Sequence, residues 1–325
     1  MAPHPVAAPI AEAVPQEALT SDILALPSEA LLVRHGAFSV YRAQATQIPS
    51  VLHEIGRLRE ITFRAVGEGT GKALDLDDYD VWYDHLFVWN DAAQAVAGAY
   101  RIGRIDEILA ARGVSGVYTA SLFHYSPALL GRLSPGLELG RSFVRREHQR
   151  NSNVLFLLWK GLGQYVLREP RYRRLVGPVS IDRAYTPSSL QLMVGYLGSR
   201  HLRGEDAAHV TPRVPYLPTD ADALRWFHVG AQLTDPEALH RAVLSQEADE
   251  RGVPVLIRQY LRMGSEVLGF NVDPDFSDVV DALMLLDLDR VADERLATFM
   301  GKPESVAFRA QRPRWTDAPA TGPAV

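Results

Sequence analysis

Cysteine is absent from this 325-residue chain. Its absence excludes disulfides, thiolate metal sites and a cysteine nucleophile, and suits a reducing cytoplasm. A basic excess is also missing: 34 Lys and Arg stand against 39 Asp and Glu, a net charge of −5. That gives no support to nucleic-acid binding, which shows a basic face. No apolar run approaches the roughly 20 residues that span a bilayer; the longest covers 154–159. The glycine-rich dinucleotide fingerprint, the phosphate-cradling Gly-Lys-Ser/Thr loop and the Gly-x-Ser-x-Gly elbow are lacking. The ten histidines form no HExxH or comparable ligand set. Neither a catalytic metal nor a resident cofactor is expected.

What is present is ordinary globular composition, 47% hydrophobic and 22% charged, enough for one large domain or two modest ones. The Ala- and Pro-rich start, 1–36, has neither a basic n-region nor a continuous apolar stretch. It is expected to be a disordered leader rather than a signal peptide. The tail, 302–325, is expected to end in the same way.

Between these ends the periodicity alternates. Residues 37–43 have strand alternation, and 48–66 carry Val51, Ile55, Leu58, Ile61 and Phe63 at about helical spacing. A glycine-rich break at Gly67, Gly69 and Gly71 leads into the acidic run Asp75-Leu76-Asp77-Asp78-Tyr79-Asp80. Residues 85–89 and 95–102 read as a hairpin about Asn90-Asp91. Strands follow at 138–144 and 175–181, and helices at 153–167 and 188–197. A proline-rich connection at 211–218 precedes a helix-rich stretch to 301 with one strand, 282–288. The order implies an α/β fold, a mixed sheet covered by helices.

Three polar clusters lie in apolar surroundings, where charges are costly unless paired or used. They are the acidic run, the strand end Gly98-Ala99-Tyr100-Arg101, and Glu138-Leu139-Gly140-Arg141. An acidic run alone is usually a solvated turn; ahead of a His-led strand, Asp77 and Asp80 also fit a cationic substrate. Arg101 fits an exposed edge as well as a site. Glu138 and Arg141 fall on opposite faces of a regular strand, so a direct pair needs a bulge, which Gly140 permits. A structural ion-pair network is the rival to catalysis here. Glu138 is the first candidate for a general base that frees an amine for acyl transfer. His85 is the second, although a lone histidine at a strand start is more often structural.

In order and spacing these motifs resemble the acyl-carrier-protein-dependent N-acyltransferases of the GNAT superfamily, including the ornithine-lipid and hemolysin-like enzymes. More distantly they resemble the acyl-homoserine-lactone synthases. The residues that carry the resemblance are Arg59 and Phe63 on the first helix, then Asp75, Asp77, Tyr79 and Asp80. Gly98 with Arg101, Glu138 with Arg141, and Gly177 to Ile181 follow. Pro254 to Leu256, Tyr260, Leu261, Gly264, and Gly269 to Phe276 leading into Asp281 complete it.

The resemblance implies a GNAT-type mixed sheet over 37–210, with a C-terminal elaboration over 211–301. It implies transfer of a (3-hydroxy)fatty acyl group from acyl-carrier protein to the α-amine of an amino acid, with L-ornithine the first acceptor. Glu138, Arg101, Arg141 and His85 would be catalytic, and Asp77, Asp80, Arg59 and Phe63 would bind substrate. The place of the coenzyme A loop, 146–153, has no glycine, which favours a carrier protein. Gln149, Arg150, Asn151, Ser152 and Asn153 would take the phosphopantetheine phosphate at a helix N-terminus. An amphiphilic product implies a cytoplasmic enzyme in peripheral contact with the inner membrane. The rivals are a synthase with another amine acceptor, and a silent acyl-carrier- or membrane-binding protein. A Glu138 walled off from any pocket would favour the silent fold.

Overall fold

A computed structural model describes residues 7–149, 153–182, 184–202 and 204–311. Eight strands form one sheet: β1 (Leu31–His35), β2 (Phe38–Gln44), β3 (Asp84–Asn90), β4 (Ala95–Arg104), β6 (Leu137–Val144), β7 (Arg174–Ile181), β9 (Glu266–Asp273) and β10 (Val279–Asp287). Their order is β1-β2-β3-β4-β6-β7-β10-β9, and β5 (Phe123–Tyr125) pairs with β8 (Val210–Pro212) in a separate ribbon. Alternation decides which side each residue covers. Leu86 and Val88 of β3 pack with Leu157, Leu158 and Leu162 of the helix Asn153–Arg168. Phe87 and Trp89 face the opposite core, against Val51, Ile55 and Leu58 of the helix Pro49–Arg64.

Every neighbouring pair in the large sheet is antiparallel except β6 and β7. That parallel ladder joins only Leu137 to Leu175 and Glu138 to Val176. Gly177 permits the close approach, because a Cβ there would stand 2.1 Å from the Leu139 carbonyl oxygen. Beyond it the strands part, and Pro178 has no N–H with which to continue the ladder. The parting opens a cleft in the middle of the sheet.

Three stretches depart from the sequence expectation, one of them the start of the expected tail, where Lys302–Ala310 form a helix that buries Phe308. Residues 16–25 form a helix and 31–35 form β1, where a leader was expected. Leu19 is buried, and the Asp22 carboxylate accepts from the N–H groups of Ser50 (2.7 Å) and Val51 (2.9 Å), capping the helix 49–64. The 211–301 stretch supplies two strands to the large sheet where one was expected, and β10 pairs with β7, extending the sheet. Asn271 and Asp273, polar but buried, interrupt the apolar pattern that would have marked β9.

Candidate active site

Arg101 and Arg141 reach the acidic run from adjacent strands. Arg59, fully buried, donates to Asp80 Oδ1 at 2.8 Å. Arg101 lies 3.3 Å from Asp80 Oδ2 and also pairs with Asp77. Arg141 Nε stands 3.2 Å from Asp75, and its Nη2 3.5 Å from Asp77. The acidic run is therefore a clamp on three arginines rather than a solvated turn. Burial works to raise the Asp80 pKa, but Arg59, Arg101 and His85 outweigh it and hold the carboxyl below its usual range.

A bulge of the kind that Gly140 permits is present. Arg101 pairs with Gly140 and Ala99 with Phe143, so Tyr100 opposes two residues. Arg141, one of those two, sits at φ 49°, a left-handed conformation that costs a non-glycine residue energy and often marks a functional site. The bulge does not join Arg141 to Glu138. It turns the guanidinium toward Asp75, Asp77 and the Tyr118 hydroxyl, to which Nη1 donates at 3.1 Å.

Glu138 lies behind this network, 1% exposed. Its Oε1 accepts from the Thr119 N–H (2.7 Å) and hydroxyl, and its Oε2 from the Tyr118 N–H (2.9 Å) and the Tyr83 hydroxyl. It lines neither lobe of the cleft. His85 is likewise sealed. Its Nε2 is 2.9 Å from the Asp80 carbonyl oxygen, and burial first, then Arg59, lowers its pKa to about 4 despite Asp80.

The cleft has two lobes that share Tyr118, Arg141, Asp273 and Phe276. The larger, about 640 Å³, opens beside Tyr79, Lys72 and Arg213. The smaller, about 140 Å³, lies where β6 and β7 part, between Ser142 on one side and Pro178 to Ser180 on the other. Phe63 lines it, its ring 5.4 Å from Phe276 in an edge-on contact. Of the residues expected to be catalytic, only Arg141 reaches the cleft.

Three carboxyl groups that were not among the expected site residues line its smaller lobe: Glu68, Asp273 and Asp281. Asp281, fully buried on β10, accepts from the Ser180 hydroxyl at 2.7 Å. Burial raises its pKa to about 7; Asp273 adds to the rise, while Ser180 and Arg141 oppose it. Glu68 rises to about 8 through burial, then Asp182 and Asp281, against Arg141. Such displacement in a cleft is a signature of functional groups. Gln149 donates to the Val144 carbonyl at 2.9 Å, and Asn153 begins the helix that follows. Arg150, Asn151 and Ser152 lie outside the described residues.

Residues 58–160 match the acetyltransferase (GNAT) domain family. A glycine N(alpha)-acyltransferase of Phocaeicola vulgatus is 32% identical over 263 residues, spanning 76% of this chain and 79% of that one. The chain belongs to this family of N(alpha)-acyltransferases. The L-ornithine N(alpha)-acyltransferase of Brucella abortus is 26% identical, over 80% of this N-acyltransferase and 85% of its own length. A CoA-dependent acyl-homoserine lactone synthase structure aligns over 83% of the N-acyltransferase and 98% of its own chain. It does so at 12% identity and a TM-score of 0.41, too slight to carry an argument. Among the described residues of the N-acyltransferase, no helix is long and apolar enough to cross a membrane.

Proposed function

We propose that this N-acyltransferase moves a fatty acyl group from the thioester of acyl-carrier protein to the α-amine of an amino acid, with L-ornithine as acceptor. One observation carries the reading: a single guanidinium, Arg141, shares the smaller lobe with the carboxyl groups of Glu68, Asp273 and Asp281. An amino acid presents the complementary charges. Its carboxylate would lie against Arg141 and its ammonium against Asp281.

Asp281, rather than Glu138, takes the amine proton in this account. A base must reach the proton, directly or through one water, and Asp281 borders the lobe whereas Glu138 does not. The freed amine attacks the thioester carbonyl. A C–N bond forms, the C–S bond breaks, and the pantetheine thiolate is protonated as it leaves. The β6–β7 ladder ends at Glu138 and Val176, and a backbone N–H left unpaired beyond it would suit the developing oxyanion. Arg101, Asp77, Asp80 and Arg59 hold Arg141 in place. The donor phosphate would rest at the N-terminus of the helix 153–168. The glycine-free approach to that helix favours the carrier protein, and an amphiphilic product favours peripheral contact of a cytoplasmic enzyme with the inner membrane.

Glycine is the second reading of the acceptor, because relatives named for it, at 32% and 31% identity, include one in Bacteroides thetaiotaomicron. Steady-state assays with acyl-carrier protein and coenzyme A thioesters of one chain length, each with ornithine and glycine, test both donor and acceptor. The proposal expects the highest kcat/KM for carrier protein with ornithine. Equal values for the two donors would overturn the donor assignment.

A further inference from the structure

We infer that Glu68 forms a subsite for a second ammonium group on the acceptor, so that the acceptor class is the diamino acids. The inference rests on the amino-acid acylation proposed above. Glu68 lines the smaller lobe, 8% exposed, and no described residue donates a hydrogen bond to its carboxyl group. A buried carboxyl without a partner is costly, and ordinary core packing does not account for one facing a cavity.

Its position is built rather than incidental. Its own N–H donates to the Phe63 carbonyl at 2.8 Å in the turn that ends the helix 49–64. The loop beyond is anchored on Glu60, fully buried, which accepts from Arg64 (2.7 Å), from the Thr70 N–H (3.1 Å) and hydroxyl (2.7 Å), and from the Gly71 N–H (2.9 Å). Glu60 thus satisfies the loop, and Glu68 is left over, facing the lobe.

Charge matching then limits the ligand. Once the acceptor's carboxylate meets Arg141 and its α-amine meets Asp281, Asp273 still accepts from the Asp275 N–H, whereas no described cation pairs with Glu68. Among the described residues no three His, Asp or Glu side chains are grouped to hold a metal ion, so the carboxyl groups suit an extended dication better than one compact ion. An ammonium on a short alkyl arm also suits the apolar part of the lining, Leu256, Pro254 and Val179. Burial, then the neighbouring Asp182 and Asp281, raise the Glu68 pKa to about 8, so a bound ammonium should lower it and release a proton.

Ornithine and norvaline separate the possibilities, since they differ by the terminal amine alone. The wild-type enzyme with acyl-carrier protein should favour ornithine by about 100-fold or more in kcat/KM, as expected when a site is built for a polar group the analogue lacks. In Glu68→Gln that ratio should fall to within about fivefold. Calorimetry of the wild-type protein in buffers of different ionisation enthalpy keeps the test independent of the variant's folding: ornithine should release a proton that norvaline does not. A wild-type enzyme that treats the two alike while acylating both, or a ratio untouched in folded Glu68→Gln, would overturn the inference and leave amino-acid acylation standing. Folded enzyme that acylates no amino acid would overturn both.

Discussion

Glu138 and Asp281 flank the same strand from opposite sides. Glu138 on β6 stands beside Val176, and Asp281 on β10 stands beside Ser180. Both are almost fully buried, yet their surroundings are opposite. Glu138 accepts from two N–H groups and two hydroxyls and is closed off. Asp281 accepts from one hydroxyl, borders a cleft, and is held back from ionising first by burial and then by Asp273. A buried carboxylate saturated with donors organises structure, because its value lies in the segments it ties together. One that is under-supplied beside a cavity is poised to exchange a proton. Glu138 fixes Tyr118 and Thr119, and the Tyr118 hydroxyl in turn receives Arg141. In the proposed mechanism its part is therefore to position other groups.

The largest expected effect is on Asp281. Asp281→Asn should lower kcat by roughly 10²–10⁴-fold, the span for loss of a general base, and comparable turnover in the two proteins would break the comparison. Next is Arg141→Gln, which should raise the acceptor KM by about 100-fold, since the charged partner proposed for the acceptor carboxylate is lost. A change confined to the donor KM would reassign the arginine. Glu138→Gln should act on the fold. The Gln amide group turns toward at least one N–H that it cannot accept from, at about 1–3 kcal/mol. Urea unfolding should register that loss while kcat stays within about tenfold.

A smaller effect concerns pH. The Asp281 pKa is raised in the folded state, so between about pH 4 and 7 the native protein binds more protons than the unfolded chain, and stability falls as pH rises. Asp281→Asn should therefore gain thermal stability over the wild type at pH 8 and show little difference at pH 4. An equal gain at both would mean that packing, rather than charge, sets it.

Much of the fold was legible in the sequence. The hairpin, the helix 49–64 and the strands beside the cleft follow from alternation and helical period. The segment before residue 36 was obscured by its alanines and prolines, because its order comes from the Asp22 cap and from pairing with β2. β9 was hidden because Asn271 and Asp273 are polar for the sake of the cleft.

At the site, Asp77, Asp80, Arg101 and Arg141 were readable as charges in apolar surroundings, and Arg59 only through the family resemblance. The same signal, a carboxylate in an apolar strand, marks both Glu138 and Asp281 in Val279-Val280-Asp281-Ala282-Leu283. The sequence does not show which of the two is saturated, since the donors to Glu138 come from 19 to 55 residues away. Glu68, within a glycine-rich break, carried no signal of burial.

The pH dependence of kcat/KM tests the central claim most directly, measured for the wild type, Asp281→Asn and Glu138→Gln with one carrier-protein donor. The account predicts a wild-type limb rising through about pH 7, below the ionisation of the acceptor amine itself. That limb should persist in Glu138→Gln and vanish in Asp281→Asn. A limb retained in Asp281→Asn and lost in Glu138→Gln would contradict the assignment and return the proton to Glu138.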